Sequence, residues 1–251
     1  MLNSFELTGR AATHVREVSG TGWLLEARTG AAVLALREAA SAVGIELVVV
    51  SGFRDFARQA AIWTAKFTGG RPLFDREGHE MTHARLDAGE LIDAILLWSA
   101  LPGASRHHWG TEVDVIDATC LPEGARPQLL PHEFAPGGCF APLDRWLTAN
   151  MARFGFFRPY VTERGGVQPE PWHLSYAPVS VPALAALSVD VLREALAGAS
   201  LPGGELLLER LPELYRRYVL AVDQPAAGGQ SAGRPAGKSS GKSSGKSSGR
   251  S

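Results

Sequence analysis

Ser105–Asp114 reads SRHHWGTEVD, and the way this stretch must bend sets the reading of the rest of the chain. His107 and Asp114 stand seven positions apart, an odd separation that would put them on opposite faces of one continuous strand. Gly110 lies between them. The spacing therefore predicts His107 on a turn that Gly110 lets bend, followed by a strand from about Thr111 to Ile116 that carries Asp114. Further along, Pro169–His173 reads PEPWH, with Glu170 three residues before a second histidine. Pro171 pushes Glu170 toward extended geometry, and neither proline can donate to a sheet ladder, so a stiff, irregular or edge segment is predicted there.

These side chains suit metal-assisted hydrolysis. A hydrolytic zinc site takes three protein ligands from His, Asp, Glu and Cys and leaves the fourth position to water. His107, Asp114 and His173 fill the three positions. Such a metal lowers the pKa of water from about 15.7 toward about 7, and a carboxylate that does not bind it accepts the proton. Glu170 is the candidate for that base. The remaining histidines, His14, His79, His83, His108 and His132, read as structural or surface residues. His79 and His83 have helical spacing, but Gly78 and the nearby charges read as loop, and no second metal is assigned.

Taken in order, SGFRDFARQ (Ser51–Gln59), SRHHWGTEVD and EPWH resemble the VanY-type D-alanyl-D-alanine carboxypeptidases, zinc peptidases of the superfamily that includes the hedgehog signalling domain. That family shows SGYRS...Q, then SxHxxGxAxD, then ExWH. The resemblance spans Ser51 to His173 and implies one zinc ion on His107, Asp114 and His173, with Glu170 as catalytic base. It implies that Arg54 contacts the substrate carbonyl or carboxylate and helps stabilise the oxyanion, with Gln59 and Ser105 as substrate contacts and Trp172 lining the site. A peptidoglycan-derived peptide is the implied substrate. Cleavage by an L,D-carboxypeptidase or an L-alanyl-D-glutamate endopeptidase would use the same metal frame, and a zinc-binding module without catalysis is the alternative of another class. Glu170 argues against that module, which has no water to activate.

The pattern is not matched everywhere. Position 55 is Asp where Ser is usual, and position 112 is Glu where a small Ala is common. Glu112 shares a strand face with Asp114 by parity, and three roles stay open for it: lining the cleft, binding a group that supports the site, or altering which peptide is accepted. The segment between Lys66 and Ser105 is long for a connection and reads as a lid or wall.

Arg54 also has a rationale of its own. Ile45–Val50, IELVVV, reads as a buried strand, with Ser51-Gly52-Phe53-Arg54 as its exit toward a helix capped by Asp55. At such an exit a guanidinium presents paired donors to a carboxylate or a developing oxyanion. Periodicity predicts an amphipathic helix over Ala31–Val43 with Val33, Leu36, Ala40 and Val43 on one face and Gly44 as its stop. Further helices are predicted from Asp55 to about Phe67, over Asp87–Ser99 with Ile92, Ile95 and Leu96 inward, and from Pro142 to Gly155. Strands are predicted near Val113–Ile116, Phe156–Pro159 and Trp172–Tyr176, then helices from about Val181 to Val222, with Pro212 breaking or kinking the last. This order is α+β: a small mixed or antiparallel central sheet flanked by helices. The division predicted is a catalytic core over residues 1–180, C-terminal helices over 181–222 on or beside it, and a disordered tail over 223–251.

Charge separates that tail from the rest. It carries five Lys or Arg against one Asp, a charge of +4, which leaves −5 on residues 1–222 of a chain whose net charge is −1. Repeats of GKSS from Gly237 to Ser248 hold no large apolar group to offset ordering entropy. The tail could contact anionic polymers, but the core has no nucleic-acid signature, so no nucleic-acid partner is expected. Cys120 and Cys139 leave one disulfide and two free thiols both open. The opening MLNSFELTGRAATHVREV has neither the basic start nor the apolar run of a signal peptide, and no segment reaches 18 uninterrupted apolar residues. The sequence thus reads as a cytoplasmic protein without a membrane span, although a wall-type substrate keeps periplasmic and extracellular locations open.

Overall fold

The computed structural model describes residues 1–121 and 124–226. In chain order the elements are α1 (Ser4–Leu7), β1 (Val15–Glu17), β2 (Leu24–Glu26), α2 (Ala27–Ser41), β3 (Leu47–Ser51), α3 (Phe56–Phe67), β4 (Leu73–Phe74), β5 (Glu80–Met81), α4 (Ala88–Trp98), β6 (Glu112–Asp117), α5 (Pro131–Phe134), α6 (Ala141–Asn150), β7 (Phe156–Phe157), β8 (His173–Tyr176), α7 (Ala177–Ala186), α8 (Val189–Ala197) and α9 (Gly204–Leu214). The fold is α+β. Its central sheet has the order β3-β6-β8-β7 and is antiparallel throughout.

Local chemistry explains where several elements begin and end. Asp55 caps α3 by accepting the Arg58 amide at 2.7 Å, and Asp87 forms a reciprocal capping box with Glu90 at the start of α4. Gly44, at φ +80°, and Gly155, at φ +82°, end their segments in the left-handed region, as expected for stop signals. Helix α2 ends at Ser41, two residues short of its predicted last residue, Val43. Val43 therefore falls outside it and is exposed, while Val33, Leu36 and Ala40 are buried as expected. Helix α9 runs through Pro212 and widens into a π-helical turn over Tyr215–Leu220 instead of breaking.

The core is made of two apolar clusters. In one, α2 and α6 pack Val33, Leu36, Leu143 and Leu147 against Val113, Val115 and Leu174 of β6 and β8. In the other, Trp63 of α3 and Ile92 and Ile95 of α4 meet Leu192 and Leu196 of α8 and Leu207 and Leu211 of α9. The C-terminal helices thus share a core with the helices that precede the sheet's central strand. Asp223, at the predicted start of the tail, accepts the Val161 and Thr162 amides and pairs with Arg164. From residue 227 onward the predicted basic tail lies outside the described residues. Among the described residues no helix is long and apolar enough to cross a membrane. Cys120 and Cys139 are free thiols, Cys120 half-buried and Cys139 exposed.

Candidate metal centre and active-site cleft

Strand β6 is buried along its whole length, yet its residues alternate between polar and apolar: Glu112, Val113, Asp114, Val115. The apolar set packs toward α2 and α6. The polar set forms the floor of the candidate site, and sheet register decides what it meets. Asp114 stands directly opposite His173 of β8, and Glu112 opposite Ser175, so each pair lies side by side on one face.

His107 reaches the same spot from a short 3₁₀ turn, Arg106–Trp109, that ends at Gly110 with φ +65°. A Cβ at Gly110 would lie 2.5 Å from Val15 Cγ1 and 2.9 Å from the Glu26 amide, so close backbone packing as well as the left-handed turn requires glycine. The two neighbouring histidines staple this turn to the strand exit that carries Arg54. His107 Nδ1 donates to the Gly52 carbonyl at 2.7 Å, and His108 Nδ1 donates to the Arg54 carbonyl at 2.6 Å. The Gly103 amide donates to the other His108 nitrogen at 3.1 Å, which fixes that ring as neutral; burial holds its pKa down at about 4.

His107, Asp114 and His173 each offer a ligand atom, and these atoms all lie within 4.8 Å of one another. Because a carbonyl only accepts, His107 Nδ1 carries the proton and Nε2 is left with its lone pair, 3.4 Å from Asp114 Oδ2. His173 Nδ1 lies 2.9 Å from Asp114 Oδ1, and its Nε2 lies 2.9 Å from Glu112 Oε2. Burial opposes charge on this ring, but the two carboxylates outweigh it and raise its pKa to about 10. Without a metal the ring is a proton bridge between two acids, and a divalent cation would take the place of the Nδ1 proton. Two imidazoles and a carboxylate fit zinc, and other divalent ions also accept that donor set.

Glu170 lies beside these groups, with Oε2 3.7 Å from His173 Nδ1. Its amide donates to the Tyr160 carbonyl at 2.9 Å, which anchors the proline-bracketed segment. Burial, with Asp114 nearby, pushes its carboxyl up to about 7 against the pull of His173 and Arg54. Arg54 is held on three sides: Nε donates to Ser51 Oγ at 3.3 Å, Nη1 to Gln59 Oε1 at 3.2 Å and Nη2 to Asp114 Oδ2 at 3.4 Å. Gln59 is fully buried behind it and donates its amide to the Ala100 carbonyl at 2.8 Å. Ser105 and Trp172 are nearly buried and line the cleft, where Trp172 packs on Phe134.

The cleft encloses about 430 Å³ and holds residues that motif reading missed. Arg58, Ile62 and Lys66 line it from one face of α3, and Arg71 lies beyond them. Their spacing of four along the helix was the available signal. Lys66 Nζ donates to Ser99 Oγ at 2.8 Å, and burial lowers its pKa to about 8. Tyr160, whose ring centre lies 5.2 Å from that of His173, carried no such signal.

A His/Asp/His donor set beside a carboxylate outside it, at the base of a cleft, is the layout of a metal-dependent hydrolase. The family model described as VanY, D-alanyl-D-alanine carboxypeptidase, matches residues 23–179. The chain belongs to this family of D-alanyl-D-alanine carboxypeptidases and is a metallopeptidase. A protein of Haemophilus influenzae without an assigned function is 37% identical over 122 residues, covering 48% of this chain and 93% of the relative. A D-alanyl-D-alanine carboxypeptidase of Enterococcus faecalis is 31% identical over 144 residues, covering 56% of this chain and 44% of the relative, so the match spans under half of that enzyme's length. Among solved structures, VanYB in complex with D-alanine-D-alanine aligns with a TM-score of 0.46 at 27% identity, covering 77% of this chain and 87% of that one. A zinc complex of a VanY D,D-pentapeptidase variant from a VanB-type resistance cassette aligns with a TM-score of 0.46 at 26% identity, covering 78% and 92%.

Proposed function

We propose that the chain is a zinc carboxypeptidase that removes the terminal D-alanine of a cell-wall peptide ending in D-alanyl-D-alanine. The observation that carries this reading is the cross-strand pair Asp114 and His173, with His107 folded onto it and Glu170 3.7 Å from His173. In this reading His107 Nε2, one Asp114 oxygen and His173 Nδ1 hold one ion, which when bound supplies Lewis acidity toward water and the scissile carbonyl. Glu170 accepts the proton of the attacking water and returns it to the leaving amine. Arg54, fixed by Ser51, Gln59 and Asp114, presents its guanidinium to the oxygen on which charge develops. Gln59 acts through Arg54, and Ser105 and Trp172 shape the wall against which the peptide lies.

Arg58, Lys66 and Arg71 favour an exopeptidase over an endopeptidase, because cations lining the cleft attract a free terminal carboxylate. The test is mass spectrometry of a synthetic pentapeptide ending in D-Ala-D-Ala, incubated with the zinc-loaded chain and with Glu170→Ala. Loss of one alanine with the wild type alone supports the reading. Cleavage at another bond moves the assignment to an L,D-carboxypeptidase or an endopeptidase, and no cleavage by a metal-bound wild type contradicts catalysis on this substrate.

A further inference from the structure

We infer that Glu112 is a positioning residue for the metal centre: it holds His173 from behind in the orientation and tautomer that turn Nδ1 toward Asp114 and His107. The inference rests on the reading of these three residues as metal ligands.

Glu112 is fully buried, and both its oxygens are engaged. Oε2 lies 2.9 Å from His173 Nε2. Oε1 accepts from Ser175 Oγ at 2.8 Å and from Thr111 Oγ1 at 3.0 Å, and it lies 3.3 Å from Arg106 Nη2. Arg106 in turn donates to Ser175 Oγ at 2.7 Å, and its guanidinium stacks 4.8 Å from the Trp109 ring centre. Ser180, from α7, meets Ser175 at 2.7 Å and closes the cluster. A buried carboxylate with this many fixed partners has one orientation available. The imidazole edge opposite the metal side therefore meets a fixed acceptor.

The consequence follows from ring chemistry. An acceptor at Nε2 keeps the proton on that nitrogen, so the lone pair belongs to Nδ1 when a cation displaces the other proton. A carboxylate behind a metal-bound histidine also raises its basicity as a ligand, and removing such a partner typically weakens metal binding about 10- to 100-fold. Register makes the device possible: Glu112 lies two residues before Asp114 on the same sheet face, and the ring of His173, opposite Asp114 on β8, meets both carboxylates. One strand thus supplies a ligand and the support of another ligand. Arg106 offsets the carboxylate's charge from inside the protein, although its Nε and Nη1 have no hydrogen-bond partner among the described residues.

The test measures zinc affinity by competition with a chromophoric chelator, and the visible spectrum of the cobalt-substituted chain, for wild type, Glu112→Gln and the double variant Glu112→Ala/Arg106→Met. The double variant removes both buried charges together, so it stays foldable if Glu112→Gln does not. Affinity about 10- to 100-fold weaker in a variant that melts cooperatively, with a changed cobalt spectrum, is the expected result. Affinity within twofold of wild type with an unchanged spectrum would overturn the inference, as would a drop in melting temperature alone. If the wild type itself binds neither metal, the ligand assignment fails rather than the role of Glu112.

Discussion

The face of the central sheet that meets α2 and α6 is built from Val113, Val115 and Leu174, whereas the face one residue out of phase carries Glu112, Asp114, His173 and Ser175. Both faces are buried, so exposure does not separate them. The apolar face is stabilised by area and shape, to which any well-fitting hydrocarbon contributes. On the polar face each charge needs a particular partner at a particular atom, because an unpaired buried charge costs several kcal/mol. One strand therefore serves stability through Val113 and Val115 and the candidate site through Glu112 and Asp114.

Substitutions on the two sides should separate these roles. On the apolar side, Leu36→Ala in α2 removes a fully buried side chain and is expected to cost about 2–5 kcal/mol in urea unfolding. Zinc affinity per folded molecule should stay at the wild-type value; a parallel loss of metal would show that the two faces are not separable. On the polar side, Arg54→Ala should lower kcat about 10²- to 10³-fold on the D-Ala-D-Ala pentapeptide, as loss of an oxyanion donor does, with zinc retained. Unchanged kcat would remove Arg54 from the reaction.

Gly110→Ala joins the two faces, since the turn it permits carries His107 into the site. A non-glycine residue in the left-handed region costs about 1–3 kcal/mol, and the contact with Val15 adds to it, so both stability and zinc affinity should fall. The smallest effect belongs to a charge away from the sheet. Asp223 is held at about 2 by the Thr162 and Val161 amides and Arg164, which outweigh its partial burial. Its folded value is below the unfolded one, so its contribution is full above about pH 4 and lost as pH falls through about 2. The melting temperature of wild type should exceed that of Asp223→Asn at pH 5, and the gap should close toward pH 2. That baseline distinguishes acid effects at the site from those at the C-terminal end.

Much of the geometry of the candidate site was legible because its motifs are local. An odd spacing interrupted by Gly110 was enough to place His107 on a turn and Asp114 on a strand, and Asp55 and Asp87 announced α3 and α4 through capping chemistry. What escaped was set by pairing at a distance. The hairpins β1–β2 and β4–β5 have strands of three and two residues, too short to show a period. The start of α2 at Ala27 was missed because its cap is Glu26, a residue type that seldom caps helices. Parity placed Glu112 on the face of Asp114, but only the register with β8 shows that it meets His173 Nε2. Lys66 shares a helix face with Arg58 and Ile62 by its spacing, but only the tertiary packing of α3 turns that face into the cleft.

The most direct test of the central claim, that β6, β8 and the Gly110 turn build a single metal centre, is the zinc content of the dialysed, reconstituted chain. One ion per wild-type chain, and none retained by His107→Ala, Asp114→Ala or His173→Ala when each still unfolds cooperatively, is the predicted result. Zinc bound at full stoichiometry by all three variants would contradict it.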